Sequence, residues 1–360
     1  MFESWSLGDG FMQPTIGGDS IRVKSLSQFS IPVAFTVDFG DRWRLGGSGA
    51  FASSSISLAG GTAVRTSDPS LTGLSDLKLT LTAQVVPDRV LFTFGANLPT
   101  GMRELDPGEL EALRIVAAPA LGLQIPALGT GSGGTAGVVV ARQVANWAWA
   151  IGASYELRSV YSPYAAAPDL PPADFNPSDA IHLSLGTDGI IGENQMTFSL
   201  AADLYTEDKV TLVGDTRSLT ARPGPMWTAE WQYNMTTATS WQINLYAIDR
   251  YRTSATSADT TISGSSGNYL DVGARGELPL GPQTRFSVGL ALRQHSGLTV
   301  DRSLASVGAT LGALTLGLDR TIGSYALRPF VRAQMGRLSP ASGSVNAKGF
   351  GAGVALTTAF

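Results

Sequence analysis

Charged side chains in this chain fall at alternate positions within otherwise apolar segments. Across Ala326–Arg337, Arg328, Arg332 and Gln334 share one parity, while Leu327, Val331, Ala333 and Met335 share the other. Glu156 and Arg158 alternate in the same way, and Lys78, Arg142, Asp203, Glu230, Arg250, Arg285 and Arg293 each sit on the polar parity of their own segment. A two-residue period places such charges on one face of a strand. In line, they can form a path or selectivity ladder for a solute, and Glu156, Arg158, Asp203, Glu230, Arg293, Arg328 and Arg332 are the candidates for that path. The same residues can equally pair into an ion network that fills and stiffens an interior.

Other chemistries find little support. There are two histidines, His182 and His295, and neither belongs to a recognisable Ser/His/acid motif, so no enzyme is expected. There are no cysteines, which removes disulfides and thiolate metal sites, and the carboxylates are too scattered for a divalent site. The block GTGSGG matches G-x-G-x-x-G at Gly129, Gly131 and Gly134, but a strand follows where a dinucleotide site needs a helix. No cofactor is expected. A net charge of -4 argues against nucleic acid.

The elements that carry these residues read as strands. Ser27–Phe39 alternates Phe29, Ile31, Val33, Phe35, Val37 and Phe39 against small or polar residues, then turns at Gly40-Asp41-Arg42. Similar pairs follow to the end of the chain. Charged residues are only 15% of 360, against roughly 25% in a soluble domain, and there are 42 glycines. The longest uncharged run, 115–141, holds Pro119, Pro126 and the glycine block, so it cannot be a membrane helix. Short turns alternate with long connections at 52–73, 99–133, 161–179, 206–218, 253–268 and 295–302, with a shorter one at 338–344. That asymmetry belongs to outer-membrane barrels, whose short turns face the periplasm.

The closing segment Phe350–Phe360 carries Phe350, Ala352, Val354, Leu356, Thr358 and Phe360 on one parity and small residues on the other. A soluble protein would leave that edge liable to aggregate, whereas a barrel closes on it, and a terminal Phe360 suits recognition by the barrel-assembly machinery. The expectation is an all-β, transmembrane antiparallel β-barrel of the bacterial outer membrane with 14–16 strands, sixteen preferred, as one domain over 1–360. Residues 1–20 form a weak first strand or N-terminal segment, and a leader is expected to have been removed from the start. Trp43, Trp147, Trp149, Trp227, Trp231, Tyr233 and Trp241 are expected near the short turns as an interfacial girdle.

Two further features bear on passage. The long connection 99–133, extracellular or folded inward, contains DPGELEALR, where Asp106 can cap a short helix, Pro107 can sit at its first position and Glu109 can complete the helix start. Pro99, Thr100, Gly101, Leu110 and Leu113 are the gate candidates of this loop. Pro32 and Pro329 fall inside strands, where a missing N–H interrupts the ladder, so each is a candidate for a local bulge or an opening in the wall.

The stretch 73–101, with its Gly-Asp strand entry leading to Pro99-Thr100-Gly101, resembles the "MetA-pathway of phenol degradation" outer-membrane family. So does 127–157, with Gly129-Thr130-Gly131 followed by two strands and Trp147, and so does NPSDAIHLSLGTD at 176–188. The likeness covers about residues 20–200 and the last strand. Such proteins are similar to the long-chain fatty-acid transporters of the outer membrane (FadL-like), which carry an N-terminal plug of several tens of residues; with about 20 residues before the first strong strand here, a full plug is not expected. The resemblance implies passive uptake of small hydrophobic or aromatic molecules. A barrel with a filled core, serving as scaffold for another envelope protein, is the alternative. The expected partners are outer-membrane lipid and lipopolysaccharide, the assembly machinery through Phe360, and a small hydrophobic ligand.

Overall fold

The computed structural model describes residues 1–14, 20–59, 68–102, 104–164, 173–212, 218–296, 304–340 and 343–358. Phe360 and most of the connections 60–67, 165–172, 213–217 and 297–303 lie outside these residues. The wall is built from β1 (Phe2–Pro14), β2 (Ser20–Phe39), β3 (Trp43–Leu58), β4 (Leu77–Val86), β5 (Val90–Leu98), β6 (Gly133–Val144), β7 (Trp147–Arg158) and β8 (Ala180–Ile191). It continues through β9 (Asn194–Tyr205), β10 (Met226–Thr236), β11 (Gln242–Arg252), β12 (Gly267–Gly281), β13 (Thr284–His295), β14 (Gly308–Ile322), β15 (Tyr325–Ser339) and β16 (Val345–Thr358). Each strand pairs antiparallel with the next, and β16 pairs back onto β1 from Phe2↔Ala352 to Ser6↔Lys348. The result is a closed barrel of sixteen strands, and the weak segment at the start of the chain is its first strand.

Alternation decides which way each strand faces. On β2, Phe29, Ile31, Val33, Phe35, Val37 and Phe39 are exposed, while Leu26, Gln28 and Ser30 are buried. On β16, Val354 and Leu356 are 63% and 65% exposed, and Gly351, Gly353 and Ala355 take the other face. The same apolar outward parity recurs on every neighbour, as at Ile151, Leu290 and Met335. A closed ladder with a continuous apolar exterior satisfies its backbone internally and meets hydrocarbon outside, which is the condition for crossing a membrane with strands.

Four expectations need correction. Arg142 pairs with Trp149 on the outward face, beside Val140 and Val144, so it does not face the lumen. It stands close to the short turn after β6, where a long side chain can reach the interface. Trp227 opens β10 and pairs with Tyr251, which places it at the long-loop end, not among the girdle residues beside the short turns. The wall strands also run beyond their sequence-predicted limits: β3 continues to Leu58 and Ser70–Leu74 pairs with its upper part, because hydroxyl-rich strand tips above an apolar band read as loop in sequence. Finally, the connections 161–179 and 206–218 are not featureless, since Ala173–Asn176, Asp208–Leu212 and Ser218–Ala221 form a three-stranded sheet.

The two prolines are accommodated differently. Ser30 of β2 exchanges backbone hydrogen bonds with Met1, so Pro32, two residues on, aims its missing N–H to that same side, where no described residue pairs with it. Pro329 keeps its pairing with Val354 of β16, but the ladder from β15 to β14 lapses between Gly317↔Phe330 and Arg320↔Leu327.

Sixteen strands about 4.8 Å apart and tilted by about 40° enclose a backbone cylinder of roughly 16 Å radius, wider than two facing layers of side chains can fill. The remaining space on one side is taken by the connection between β5 and β6. Its helix α1 (Pro107–Val116) and the coil after it pack against the inward faces of β1–β3 and β14–β16. The buried core of the protein therefore lies inside the barrel, built on Trp5, Leu7, Phe11, Ile56, Ile115 and Leu121.

Candidate functional site: the obstructed lumen

The inward segment begins with a well-made helix. The Asp106 carboxylate accepts from Glu109 N at 2.8 Å, Asp106 N donates to Glu109 Oε2 at 3.0 Å, and Pro107 sits in the first turn. The cap expected at Asp106 is present, and Glu109 closes it into a reciprocal capping box. Ala112, Ile115 and Val116 are fully buried, with Leu110 and Leu113 packed at the margin. Glu111 is buried on the same side, a feature the apolar pattern hides. Its Oε1 accepts from Gln13 Nε2 at 3.4 Å, and its Oε2 lies 3.6 Å from Arg114 Nη1. Gln13 also accepts from Leu304 N at 2.8 Å, which ties the helix to the connection before β14.

Beyond the helix, the coil is stitched to the wall by amide and carboxylate groups. Gln28 of β2 donates to Ile125 O at 2.7 Å and accepts from Ile125 N at 2.9 Å, a pair of hydrogen bonds that mimics strand pairing with the backbone. Glu3 of β1 accepts from Gln124 N at 2.9 Å. Gly122, at φ +58°, lies directly against the guanidinium of Arg293, so that a side chain there would displace it.

Both ends of the segment meet at Asp76, which is only 4% exposed. Its Oδ1 accepts from Gly101 N at 3.0 Å. Its Oδ2 accepts from Thr130 N at 2.7 Å, Thr130 Oγ1 at 3.2 Å and Asn97 Nδ2 at 3.1 Å. Asn97 donates in addition to Gly131 O, and Thr100 Oγ1 accepts from Leu77 N at 2.9 Å. Pro99-Thr100-Gly101 and Gly129-Thr130-Gly131 are thus the two jaws of one clasp, and the Asp of the GLSD strand entry is its pin. Gly101 has no room for a Cβ, which would strike Leu128 O and the Asp76 backbone. The sequence offered the two tripeptides but not their meeting, since the 27 residues 102–128 separate them.

Opposite the inward segment, the wall carries the charges. Arg158 holds Glu156 through two contacts, at 3.0 and 2.9 Å. His182 reaches Glu156 Oε2 at 3.2 Å with Nε2 and Asp203 Oδ1 at 2.7 Å with Nδ1. Both ring nitrogens therefore face carboxylates, and neither is left to take a proton from a hydroxyl. His295 Nδ1 meets Val307 O at 2.9 Å. Glu230 lies 4.0 Å from Arg250, and Arg293 lies 3.4 Å from Asp271 while covering the ring of Tyr269 at 5.6 Å. Arg328 and Arg275 share Asp319 at 3.1 and 3.7 Å. Arg332 donates Nε to Thr315 Oγ1 at 3.2 Å.

The seven path candidates all face the lumen, but they fall into separate groups. Glu156, Arg158 and Asp203 are joined through His182; Glu230, Arg293 and Arg328 each have their own partner. Asp271, Asp319 and Asp76 were the residues missed. Each is a lone carboxylate in a small-residue strand or turn, and its role appears only when the ladder register brings a partner alongside.

Two recesses of the lumen carry both charges and aromatic rings. One, of about 650 Å³, lies at the long-loop end between Lys78, Asn97, Arg158, Tyr205 and Arg252. The other, of about 500 Å³, lies deeper among Tyr246, Asp271, Arg293, Asp319, Phe330 and Arg332. Tyr161, in a connection bordering the outer recess, has its phenol pushed above the usual range by burial, with Asp76 and Asp208 adding to the effect, so it stays a neutral donor.

No family model and no curated protein matches the chain. Among solved structures, the outer-membrane protein OmpT of Vibrio cholerae aligns over 99% of this chain and 95% of its own at 11% identity and a TM-score of 0.41. The outer-membrane protein opdK from Pseudomonas aeruginosa aligns over 99% of both chains at 9% identity and a TM-score of 0.42. A mutant of the monoaromatic hydrocarbon channel TodX aligns over 100% of this chain and 89% of its own at 8% identity and a TM-score of 0.47. These are likenesses of barrel outline, and at such identities no substrate or activity carries across. The chain is an outer-membrane β-barrel on its own closed ladder and apolar belt.

Proposed function

We propose that this barrel is a channel for passive uptake of small hydrophobic or aromatic molecules across the outer membrane. The observation that carries the reading is an interior divided in two: one half packed by the segment 99–132, the other left with two recesses lined by charges and aromatic rings. A scaffold barrel would have no use for the unfilled half. Glu156, Arg158, Asp203, Glu230, Arg293, Arg328 and Arg332 line the route, and the clasp at Thr100 and Gly101 with the helix residues Leu110 and Leu113 sets how far it opens. The lapse in the ladder at Pro329 is a place where cargo could leave sideways through the wall, and Pro32 is the other candidate for such an exit. The outward belt meets lipid and lipopolysaccharide, and Phe360 serves the assembly machinery.

Single-channel recording of the refolded protein tests this, with and without residues 103–128. Conducting steps that grow on deletion are expected. Silence in both forms, with heat-modifiable barrel mobility on a gel, overturns the channel reading.

A further inference from the structure

We propose that the cargo is an organic anion carrying an aromatic ring, held on the strand face Arg328–Phe330–Arg332; this rests on the channel reading and names its substrate class. These three residues alternate on the lumen side of β15, so neighbours stand about 6.6 Å apart along the strand. The Phe330 ring lies over Gly353 of the adjacent strand, where a Cβ would come within 2.8 Å of it. The deep recess opens beside this face, with Tyr246 and Thr315 in its lining.

The charges of this recess do not balance. Four guanidinium groups, of Arg275, Arg293, Arg328 and Arg332, line it with two carboxylates, of Asp271 and Asp319; Arg275 also reaches Glu277 at 3.0 Å just beyond the lining, a carboxylate that Arg285 shares at 3.8 Å. Asp319 is shared by two arginines, and Asp271 is taken by Arg293. Arg332 has no carboxylate within 4.0 Å among the described residues; its one hydrogen bond goes to Thr315 through Nε. Glu3 lies within electrostatic reach but gives its Oε2 to Gln124 N. The terminal nitrogens of Arg332 are left as a planar fork, the geometry that receives a carboxylate through two parallel bonds.

The outer recess repeats the pattern independently. Lys78 and Arg252 have no carboxylate within 4.0 Å among the described residues, and Arg252 stacks 5.7 Å from the centre of Tyr205. Tyr161 and Phe175 stand edge to face beside it, 5.7 Å apart. From the mouth inward, unpaired cations therefore accompany aromatic rings. A neutral hydrocarbon entering either recess would strip water from cations and offer them nothing, whereas an aromatic carboxylate supplies both the missing charge and a ring to stack. A space of about 500 Å³ suits one ring, and polar groups punctuate its lining too often to bed a long acyl chain.

Benzoate, benzamide and acetate are the probes, applied to the full chain, to Arg332→Gln, to Phe330→Leu and to Arg142→Gln as an outward-facing charge control. Titration calorimetry in detergent reads the site whether or not the barrel conducts, and interruption of single-channel current reads passage. Benzoate should bind wild type and the Arg142→Gln control alike, with benzamide and acetate much weaker. Arg332→Gln should weaken benzoate by roughly tenfold or more, the loss of one charge-assisted bidentate contact. Phe330→Leu should narrow the gap between benzoate and acetate. Equal binding of benzamide and benzoate, no effect of Arg332→Gln, or acetate as tight as benzoate overturns the anion class while leaving a conducting barrel a channel. Benzoate binding to a barrel that never conducts keeps the site and removes the channel reading.

Discussion

Replacing Asp76 by Ala should unfasten the inward segment without opening the wall. The Asp76 carboxylate accepts four hydrogen bonds, at 3.0, 2.7, 3.2 and 3.1 Å, and no cation is paired with it among the described residues. Hydrogen bonds to a charged group contribute about 1.5–3 kcal/mol each, and the amides of Gly101 and Thr130 would be stranded by its loss. The four share one acceptor and so do not add, and released loop ends can find water, which together bring the expected cost to about 3–5 kcal/mol for the packed state. At about 1.4 kcal/mol per tenfold, the population of the released segment should rise by roughly two to three and a half orders of magnitude. Limited proteolysis of the folded barrel, with cleavage mapped inside 102–128, reads that population, and single-channel noise gives a second measure. Asp76→Asn should fall between, because its NH₂ group must turn a donor toward Gly101 N or toward Thr130. If the segment in Asp76→Ala resists protease as wild type does, the clasp does not hold it.

Gly101→Ala drives a Cβ into Leu128 O and should release the same segment with Asp76 intact, seen as the same protease fragments. Trp5→Ala empties the largest buried side chain beneath the segment and should lower its melting by about 3–5 kcal/mol in near-ultraviolet circular dichroism, leaving the barrel band on a gel unchanged. Pro329→Val restores an N–H toward β14 and should close the lapse between Gly317↔Phe330 and Arg320↔Leu327, seen as a newly protected amide by hydrogen exchange; unchanged uptake in that variant removes the lateral exit.

The wall was legible because its physics is local. Phe29 to Phe39 on β2 and Phe350 to Leu356 on β16 state their orientation by parity alone, and Asp106-Pro107-Gly108-Glu109 states the start of α1. What the sequence hid depends on groups brought from far apart. Asp76 is unremarkable until Gly101 and Thr130 converge on it, and Glu111 reads as a surface helix charge until Gln13 of β1 covers it. Arg142 misled because Val138-Val139-Val140-Ala141 is apolar on both parities, so parity had to be counted through the ladder to Trp149. The serine-rich tips of β1–β3 misled in the opposite direction, since a strand standing above the apolar belt no longer alternates in hydrophobicity.

The two halves of the lumen also differ in what can change. The inward segment is held by apolar burial, by the uncharged amides of Gln13 and Gln28, and by two carboxylates bound to backbone N–H groups, Glu3 along the coil and Asp76 at the clasp. The facing half is held by Arg–carboxylate contacts spread from β7 to β15, and the segment touches that set chiefly where Gly122 meets Arg293. Removing the segment therefore enlarges the free cross-section but leaves Lys78, Arg252, Arg328 and Arg332 in place. Deletion of 103–128 should raise conductance while the reversal potential under a potassium chloride gradient keeps the same sign, toward anions, because fixed charge sets selectivity and width sets flux. A reversal potential that collapses to zero on deletion would mean that the segment's own groups carried the selectivity. The charged half of the wall would then be only the ion network that stiffens it.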